Sequence, residues 1–282
     1  MSDENLAERI AALVAMSSGD GRLDTLTRLT CGRALSLHPL PMEIDLIDGG
    51  AEHEPLVCTF AEQFAVDVSG ITDNQRKLLS TALGNNVFRT VVMIFVADFV
   101  PRVWAGFEAL GLRRAGNGGD VVEWDHDSDP TDALLNGFLP AVARLRGLDP
   151  VTTEVVRLRG AAQHNCRLCK SRRETSALDA GGSEHLYSDI EQYESSEKLT
   201  DAHKAALRFV DAMIWTPSQI TSEIAAGVRR HFSEDQAFEL TLDIMRNAAN
   251  KIMVSLGVDA PLVTDGTELF SVDADGQTVS AG

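Results

Sequence analysis

FAEQFAVDVSGIT, residues 60–72, has a counterpart in FVDAMIWTPSQIT, residues 209–221. At a constant offset of 149 residues, the two segments share their first phenylalanine and their final isoleucine–threonine pair. Farther along, VWAGFEALGL resembles KIMVSLGV after a shift of three residues, and both place a glycine second from the end. A repeat over such a distance predicts that the chain consists of two similar halves in tandem.

Helix signals occur throughout the chain, whereas strand patterns of alternating polarity do not. N-cap residues precede runs with apolar side chains at helical spacing at four places, which are Asp149-Pro150, Thr200-Asp201, Thr72 with Gln75, and Ser233 with Gln236. The sequence therefore predicts an all-α protein.

Composition divides the chain into four parts. Residues 1–118 form a helical repeat without a CxxC motif, and residues 119–133 form an acidic linker that holds acids, a proline and no Lys or Arg. Residues 134–264 contain the CxxC motif. Residues 265–282 are polar and without helical period, so we expect a loose tail there.

Length and charge limit the function. The chain has 282 residues, 44% of them hydrophobic, and a formal net charge of −17, which argues against nucleic-acid and anionic-membrane partners. Its first ten residues lack the features of a signal peptide, and the most apolar stretch, residues 91–100, looks too short to span a bilayer. We expect a cytoplasmic protein whose partners are small molecules or proteins.

The candidate chemistry lies in NCRLCKSRR, residues 165–173, which holds two of the four cysteines. Asn165 is a suitable N-cap, so Cys166 and Cys169 would lie in the first turn of a helix, where the dipole favours thiolate. This position predicts that Cys166 is the exposed sulfur. Six cations and no acid occur between Arg157 and Arg173, and this basic island would also lower a thiol pKa or hold an acidic group.

Two other interpretations of the cysteine pair remain open from the residues alone. The cysteines could be inert and buried, or they could be part of a zinc site together with His164, which precedes Cys166 by two residues. No second CxxC or nearby histidine pair supplies the remaining ligand, so we expect neither a metal nor a cofactor.

Glu154 lies twelve residues before Cys166. With this spacing, residues 149–260 resemble the carboxymuconolactone decarboxylase and alkylhydroperoxidase D superfamily, whose repeat has a glutamate, a CxxC twelve residues later, and a histidine four residues after the second cysteine. The resemblance implies an alkylhydroperoxidase D-like helical bundle, assembly as a homo-oligomer, and a role for Glu154 as a proton-relay carboxylate.

The family's histidine position is occupied by Arg173. Arginine cannot act as a general base at neutral pH, but on the helical face of the cysteines it would stabilise a thiolate by its charge. His164, in the loop before Cys166, is a possible substitute for the missing histidine. Arg173 and His164 are therefore predicted auxiliary residues beside Cys166, Cys169 and Glu154.

These observations predict a dithiol redox enzyme that reduces hydroperoxides or disulfides through the cysteine pair and is reset by an external thiol reductant protein. One alternative is a protein that has lost peroxidase turnover and acts in binding or assembly. Another is a decarboxylase-like enzyme in which Glu154 transfers a proton and the basic island holds a substrate carboxylate.

Overall fold

The computed structural model describes residues 3–46, 50–112 and 122–280. The chain is mostly helical, with a small three-stranded sheet. Its first helices are α1 Asp3–Ala15, α2 Gly21–Leu35, α3 Glu54–Asp67, α4 Asp73–Leu83 and α5 Val87–Leu110. A 3₁₀ turn, Val68–Gly70, joins α3 to α4, and another, Gly84–Asn86, joins α4 to α5.

The later part begins with a helical run whose middle is π-helical. It consists of α6 Pro130–Asp132, the π-helical segment Ala133–Phe138, and α7 Leu139–Ala143. The helices that follow are α8 Pro150–Gln163, α9 Arg167–Lys170, α10 Thr175–Asp179, α11 Glu184–Tyr187, α12 Asp201–Trp215, α13 Ser222–His231, α14 Glu234–Ala248 and α15 Asn250–Leu256. Two further 3₁₀ segments, Ile190–Ser195 and Pro217–Gln219, flank α12.

The predicted helix starts are confirmed. The side chains of Asp149 and Thr200 cap α8 and α12, and Pro150 is the first residue of α8. The capping boxes predicted at Thr72 and Ser233 are formed as well. These starts are predictable because a cap depends only on residues within one helical turn.

The central element is α5, which packs against α2, α12, α13 and α14. The run of helices from Asp73 to Leu110 is long and apolar enough to cross a membrane by length and composition alone, but 89% of its most apolar window is buried inside the protein. The expectation that this apolar stretch is too short to span is wrong, since α5 has 24 residues. Its burial is that of a core helix.

The two repeated segments lead into similar orders of elements. α3 and α12 are each followed by a 3₁₀ turn, and then by a helix whose N-cap is a threonine, Thr72 or Thr221. The helices that follow end at Gly111 and Gly257, whose φ angles of 74° and 73° suit glycine. The larger hydrophobic cluster of the described residues contains side chains from both predicted halves, including Phe60 and Phe209.

The acidic linker falls partly outside the described residues, which omit positions 113–121. Its later part is attached to the first helices rather than simply exposed. The backbone N–H of Asp125 donates to the carbonyl of Ala15 at 3.0 Å, and Arg28 stacks on Trp124 at 5.1 Å. The division of the chain at residues 118 and 134 stays a prediction.

The sheet corrects two expectations, namely an all-α fold and a loose tail after residue 265. β1, Arg172–Glu174, follows the cysteine motif and pairs in parallel with β2, Glu268–Val272, which pairs antiparallel with β3, Thr278–Ser280. Arg173 is opposite Leu269 in the β1–β2 register. The described part of the tail is thus a β-hairpin that packs beside the cysteine motif.

Candidate functional site

Cys166 and Cys169 form a disulfide, with their Cα atoms 5.3 Å apart. The chain reaches them after α8 through Asn165, whose φ of 51° is a left-handed conformation that asparagine tolerates better than most residues. Cys166 is itself the N-cap of α9, and its Sγ accepts a hydrogen bond from the backbone N–H of Cys169 at 3.2 Å. The prediction that Asn165 is the N-cap is therefore wrong by one residue.

The two cysteines differ in their surroundings. Cys166 is completely buried, whereas Cys169 is 4% exposed and lines a cavity of about 580 Å³. The expectation that Cys166 is the exposed sulfur is wrong, because the N-cap position turns its side chain into the core. A molecule in the cavity would meet Cys169 first.

The start of α9 is held by Asp259, a residue that the sequence analysis did not single out. Its carboxylate accepts from the backbone N–H of Arg167 at 2.9 Å and pairs with the Arg167 guanidinium at 2.7 Å. Burial opposes ionisation of Asp259, but the bonds from Arg167 outweigh it, so the pKa of Asp259 lies below its ordinary value. This negative charge at the first turn offsets the dipole that would favour thiolate.

Glu154 is completely buried on α8, and both of its carboxylate oxygens are bound. Arg157 donates to them at 2.6 and 2.7 Å, and the backbone N–H of Glu174 donates at 3.2 Å. Arg157 also donates to the carbonyl oxygens of Cys169, at 2.8 Å, and Arg172, at 2.7 Å. Glu154 thus reaches the cysteine motif through Arg157, and none of its hydrogen bonds in the described residues is to a sulfur.

Arg173 lies in β1 and not on the helical face of the cysteines, because α9 ends at Lys170. Its guanidinium pairs with Glu184 at 2.5 and 2.9 Å and stacks on Tyr187 at 5.7 Å. Burial, and next the charge of Glu154, raise the pKa of Tyr187 to about 12. The prediction that Arg173 shares a helical face with the sulfurs is wrong.

His164 ends α8 and is 5% exposed. Burial, together with the positive charges of Lys251 and Arg102, lowers the pKa of His164 well below its ordinary value, so the ring is neutral at neutral pH. Its Nε2 has no hydrogen-bond partner among the described residues. The loop position predicted for His164 is therefore a buried one.

Five of the six cations in the basic island are neutralised by carboxylates. Five of its arginines form ion pairs, which are Arg157 with Glu154, Arg159 with Asp211, Arg167 with Asp259, Arg172 with Glu268, and Arg173 with Glu184. The sixth cation, Lys170, donates to the side chain of Asn165 at 2.6 Å. The arginines of the island thus form structural pairs, and only Lys170, which is exposed, bonds a neutral side chain instead.

A second buried charge cluster was missed by the sequence analysis. Asp98 on α5 is completely buried and pairs with Arg102 at 2.7 Å and with Lys251 of α15 at 2.5 Å. The signal in the sequence is an aspartate and an arginine within an otherwise apolar run. In the parts of the chain that are described, no group of three His, Cys, Asp or Glu side chains could hold a metal ion.

No protein-family model matches the chain. Rv2313c and MT2376, two uncharacterized proteins from strains of Mycobacterium tuberculosis, are each 56% identical to it over 277 residues, which cover 98% of this chain and 98% of each relative. The chain belongs to the Rv2313c family. YdfG of Bacillus subtilis, also uncharacterized, is 24% identical over 112 residues, covering 39% of this chain and 76% of YdfG.

Among solved structures, two of debrominase Bmp8 are similar to part of the fold, with TM-scores of 0.39 and 0.40 and sequence identities of 16% and 19%. They cover 59% and 58% of this chain. The assignment to the carboxymuconolactone decarboxylase and alkylhydroperoxidase D superfamily is wrong. No family model supports it, and the relatives that match in sequence, among them Rv2313c and YdfG, are uncharacterized.

Proposed function

We propose that the protein is a dithiol oxidoreductase in which Cys166 and Cys169 cycle between two thiols and a disulfide. One observation carries the proposal, which is that the pair forms a disulfide while Cys169 lines a cavity. A disulfide that only stabilised the fold would not need a neighbouring cavity. The substrate is a hydroperoxide or a small disulfide.

With a hydroperoxide, the Cys169 thiolate attacks the terminal oxygen, and the O–O bond breaks. The alkoxide leaves and takes up the thiol proton to become an alcohol, while Cys169 becomes a sulfenic acid. The Cys166 thiol then attacks the Cys169 sulfur. The S–S bond forms, and hydroxide leaves and takes the second thiol proton to become water.

With a disulfide substrate, the Cys169 thiolate attacks one sulfur and forms a mixed disulfide, releasing the first thiol. Cys166 then attacks Cys169 and releases the second. In both cases an external thiol reductant resets the pair by attacking the disulfide from the cavity side. Cys169 is the proposed attacking residue because it lines the cavity, and Cys166 is the proposed resolving residue because it is completely buried.

Glu154 has a positioning role in this proposal rather than that of a proton relay. Both of its oxygens are bound by Arg157, whose remaining donors hold the carbonyls of Cys169 and Arg172. Arg157 therefore fixes the backbone on the C-terminal side of the cysteine pair. The same bonding makes a decarboxylase-like role of Glu154 the least favoured alternative, since its oxygens are not free to accept a substrate proton.

The test uses the reduced protein, cumene hydroperoxide and single cysteine variants. Wild type is expected to lose two thiols for each peroxide consumed and to form the Cys166–Cys169 disulfide, detected by peptide mass. In Cys166→Ser the reaction stops at a sulfenic acid on Cys169, which dimedone traps, whereas Cys169→Ser reacts no faster than a free thiol.

Cys58→Ser is the matched control, because Cys58 is a free cysteine that is partly exposed. It is expected to react like wild type. The proposal fails if the reduced wild type consumes neither hydroperoxide nor a small disulfide faster than an unperturbed thiol does.

The second candidate is a binding protein with a structural disulfide. It is supported by the complete burial of Cys166 and by the pairing of the five arginines near the motif with carboxylates. In that case reduction lowers the stability of the fold, and the freed thiols show no enhanced reactivity.

The proposal also includes two similar halves related by duplication, which the shared order of elements around Thr72 and Thr221 supports. Cytoplasmic location and assembly as a homo-oligomer remain predictions, and light scattering on the purified protein tests the second.

A further inference from the structure

We infer that the cavity beside Cys169 binds a small, uncharged and mainly apolar organic molecule, and that the carboxamide of Asn247 donates a hydrogen bond to an oxygen of that molecule. The inference deepens the proposed dithiol function. It rests on that function for one point only, namely that the bound molecule is the hydroperoxide or disulfide that Cys169 reduces.

The size of the cavity is that of a small-molecule site. Its volume of about 580 Å³ lies within the range of roughly 300–1,000 Å³ that such sites occupy. Hydrogen peroxide, with about the volume of two water molecules, or roughly 60 Å³, would leave most of it unfilled. Cys169 itself is only 4% exposed. The dimensions therefore favour an organic molecule.

The charges around the cavity are balanced. Its wall includes Arg157, Arg172 and Arg246. Each guanidinium is paired with a carboxylate, which are Glu154 at 2.6 Å, Glu268 at 2.9 Å and Asp243 at 3.1 Å, respectively. An anionic ligand would have to compete with these carboxylates, and a cation would meet three arginines. An uncharged ligand disturbs none of the pairs.

The rest of the wall is mostly apolar, and its side chains come from distant parts of the sequence. They include Leu135, Leu139, Ile252, Met253 and Phe270. Such a surface gains free energy when a ligand displaces water from it, at roughly 25 cal/mol for each Å² of apolar area buried. The ligand is therefore mainly apolar.

Of the uncharged polar residues in the wall, which are Asn247, Asn250, Gln277 and Thr278, Asn247 is the one that points to a ligand. It lies on α14, lines the cavity and is 9% exposed, and its Nδ2 has no hydrogen-bond partner among the described residues. A buried donor without an acceptor costs about 1–3 kcal/mol. A carbonyl, hydroxyl or peroxide oxygen of the ligand would provide that acceptor beside the disulfide.

Binding is tested on the disulfide form, so that no redox step is needed. The probes are acetophenone, which has a ring and a carbonyl, ethylbenzene, which lacks the oxygen, and benzoate, which carries a charge. Titration followed by ligand-observed NMR is expected to give tighter binding of acetophenone than of either other probe.

Asn247→Leu keeps the side-chain size and removes the donor. It is expected to weaken acetophenone binding about fivefold, the equivalent of one neutral hydrogen bond, and to leave ethylbenzene binding unchanged. Met253→Trp fills the cavity and is expected to weaken the binding of both acetophenone and ethylbenzene. Asn136→Leu, at an exposed position of the π-helical segment, is the matched control and is expected to bind like wild type.

The inference is overturned if benzoate binds more tightly than acetophenone, or if Asn247→Leu leaves acetophenone affinity unchanged. If Asn247→Leu does not fold, as judged by circular dichroism, the inference is tested by the affinities of the three probes for wild type and for Met253→Trp. A parallel assay compares cumene hydroperoxide with hydrogen peroxide on the reduced protein, with the first expected to react faster.

These two arms separate the inference from the function on which it rests. If the probes bind as expected and no hydroperoxide or disulfide is reduced, the dithiol function fails and the ligand site stands. If hydroperoxide is reduced and acetophenone does not bind, the ligand site is wrong and the dithiol function stands.

Discussion

Two buried carboxylate–arginine pairs, each within one helical turn, lie in different regions of the molecule. Asp98 and Arg102 are on α5, and Glu154 and Arg157 are on α8. Both carboxylates are completely buried, and both arginines use their remaining donors on backbone carbonyls. The two pairs are therefore built alike.

They differ in what they hold. Arg102 donates to the carbonyl of Ala65 on α3, at 2.7 Å, and to those of Met213 and Ile214 on α12, at 3.0 and 2.5 Å. It thus joins helices from the two parts of the chain that carry the repeated segments. Arg157 instead holds the backbone of Cys169 and Arg172 beside the cavity.

The comparison shows that a buried ion pair is not by itself a sign of catalysis. The pair on α5 acts as a clamp between helices. The pair on α8 makes the same kind of clamp, and only its neighbours, a disulfide and an open cavity, give it a place in a proposed reaction. Breaking each pair in turn tests this distinction.

The largest effect is expected for Arg102→Met. The change removes three carbonyl bonds and one of the two cations bound to Asp98, and the free energy of unfolding should fall by about 4 kcal/mol. Urea denaturation measures it. Arg208→Met is the matched control, because its pair with Glu194 is exposed and its loss should cost less than about 1 kcal/mol. Equal losses in the two variants would contradict a clamp at Arg102.

Glu154→Gln breaks the second pair with little change in volume. It leaves the Arg157 charge buried without its carboxylate, so we expect a loss of about 3 kcal/mol in the free energy of unfolding. If Glu154 only positions Arg157, the pH dependence of peroxide or disulfide reduction keeps its shape in the variant. If the pH profile of the variant lacks one ionisation that wild type shows, Glu154 acts as a proton relay after all.

The comparison also separates what the sequence can and cannot predict. The caps at Asp149 and Thr200 were predictable because donor and acceptor lie within one turn. The pairs Arg167–Asp259 and Arg172–Glu268 were not, since the partners are 92 and 96 residues apart and no local pattern links them. For this reason the five arginines that looked like free positive charge in the sequence are in fact paired with carboxylates.

The sheet was missed for a related reason. β1 and β3 have three residues each and β2 has five, too few for an alternating pattern to stand out. Their stability comes from pairing across the length of the chain. Without the hairpin, the sequence could predict the cysteine pair and its spacing from Glu154, but not the wall of the cavity beside them.

Phe270→Ala tests how far the hairpin contributes to the surroundings of the α8 pair. Phe270 is 4% exposed and its ring lies 5.2 Å from the guanidinium of Arg157. We expect a loss of about 2 kcal/mol in stability and faster reduction of the Cys166–Cys169 disulfide by dithiothreitol, because the wall beside Cys169 opens. Leu269→Ala, at a neighbouring exposed position, is the control. Unchanged reduction in Phe270→Ala would show that the hairpin does not cover the disulfide.

The smallest expected effect is a pH dependence of the free energy of unfolding. It should arise at the α5 pair and not at the α8 pair, because Asp98 also binds Lys251 of α15. Burial lowers the pKa of Lys251 to about 8, although the carboxylate of Asp98 opposes the shift. Between pH 7 and 9 the folded protein therefore releases a proton that the unfolded chain, with a lysine pKa near 10.4, still holds. Stability should rise with pH by about 1 kcal/mol over this window.

Urea denaturation at several pH values measures the rise, which should disappear in Lys251→Met and persist in Glu154→Gln. If Lys251→Met keeps the wild-type slope, the proton comes from another group, and the two pairs do not differ in this respect.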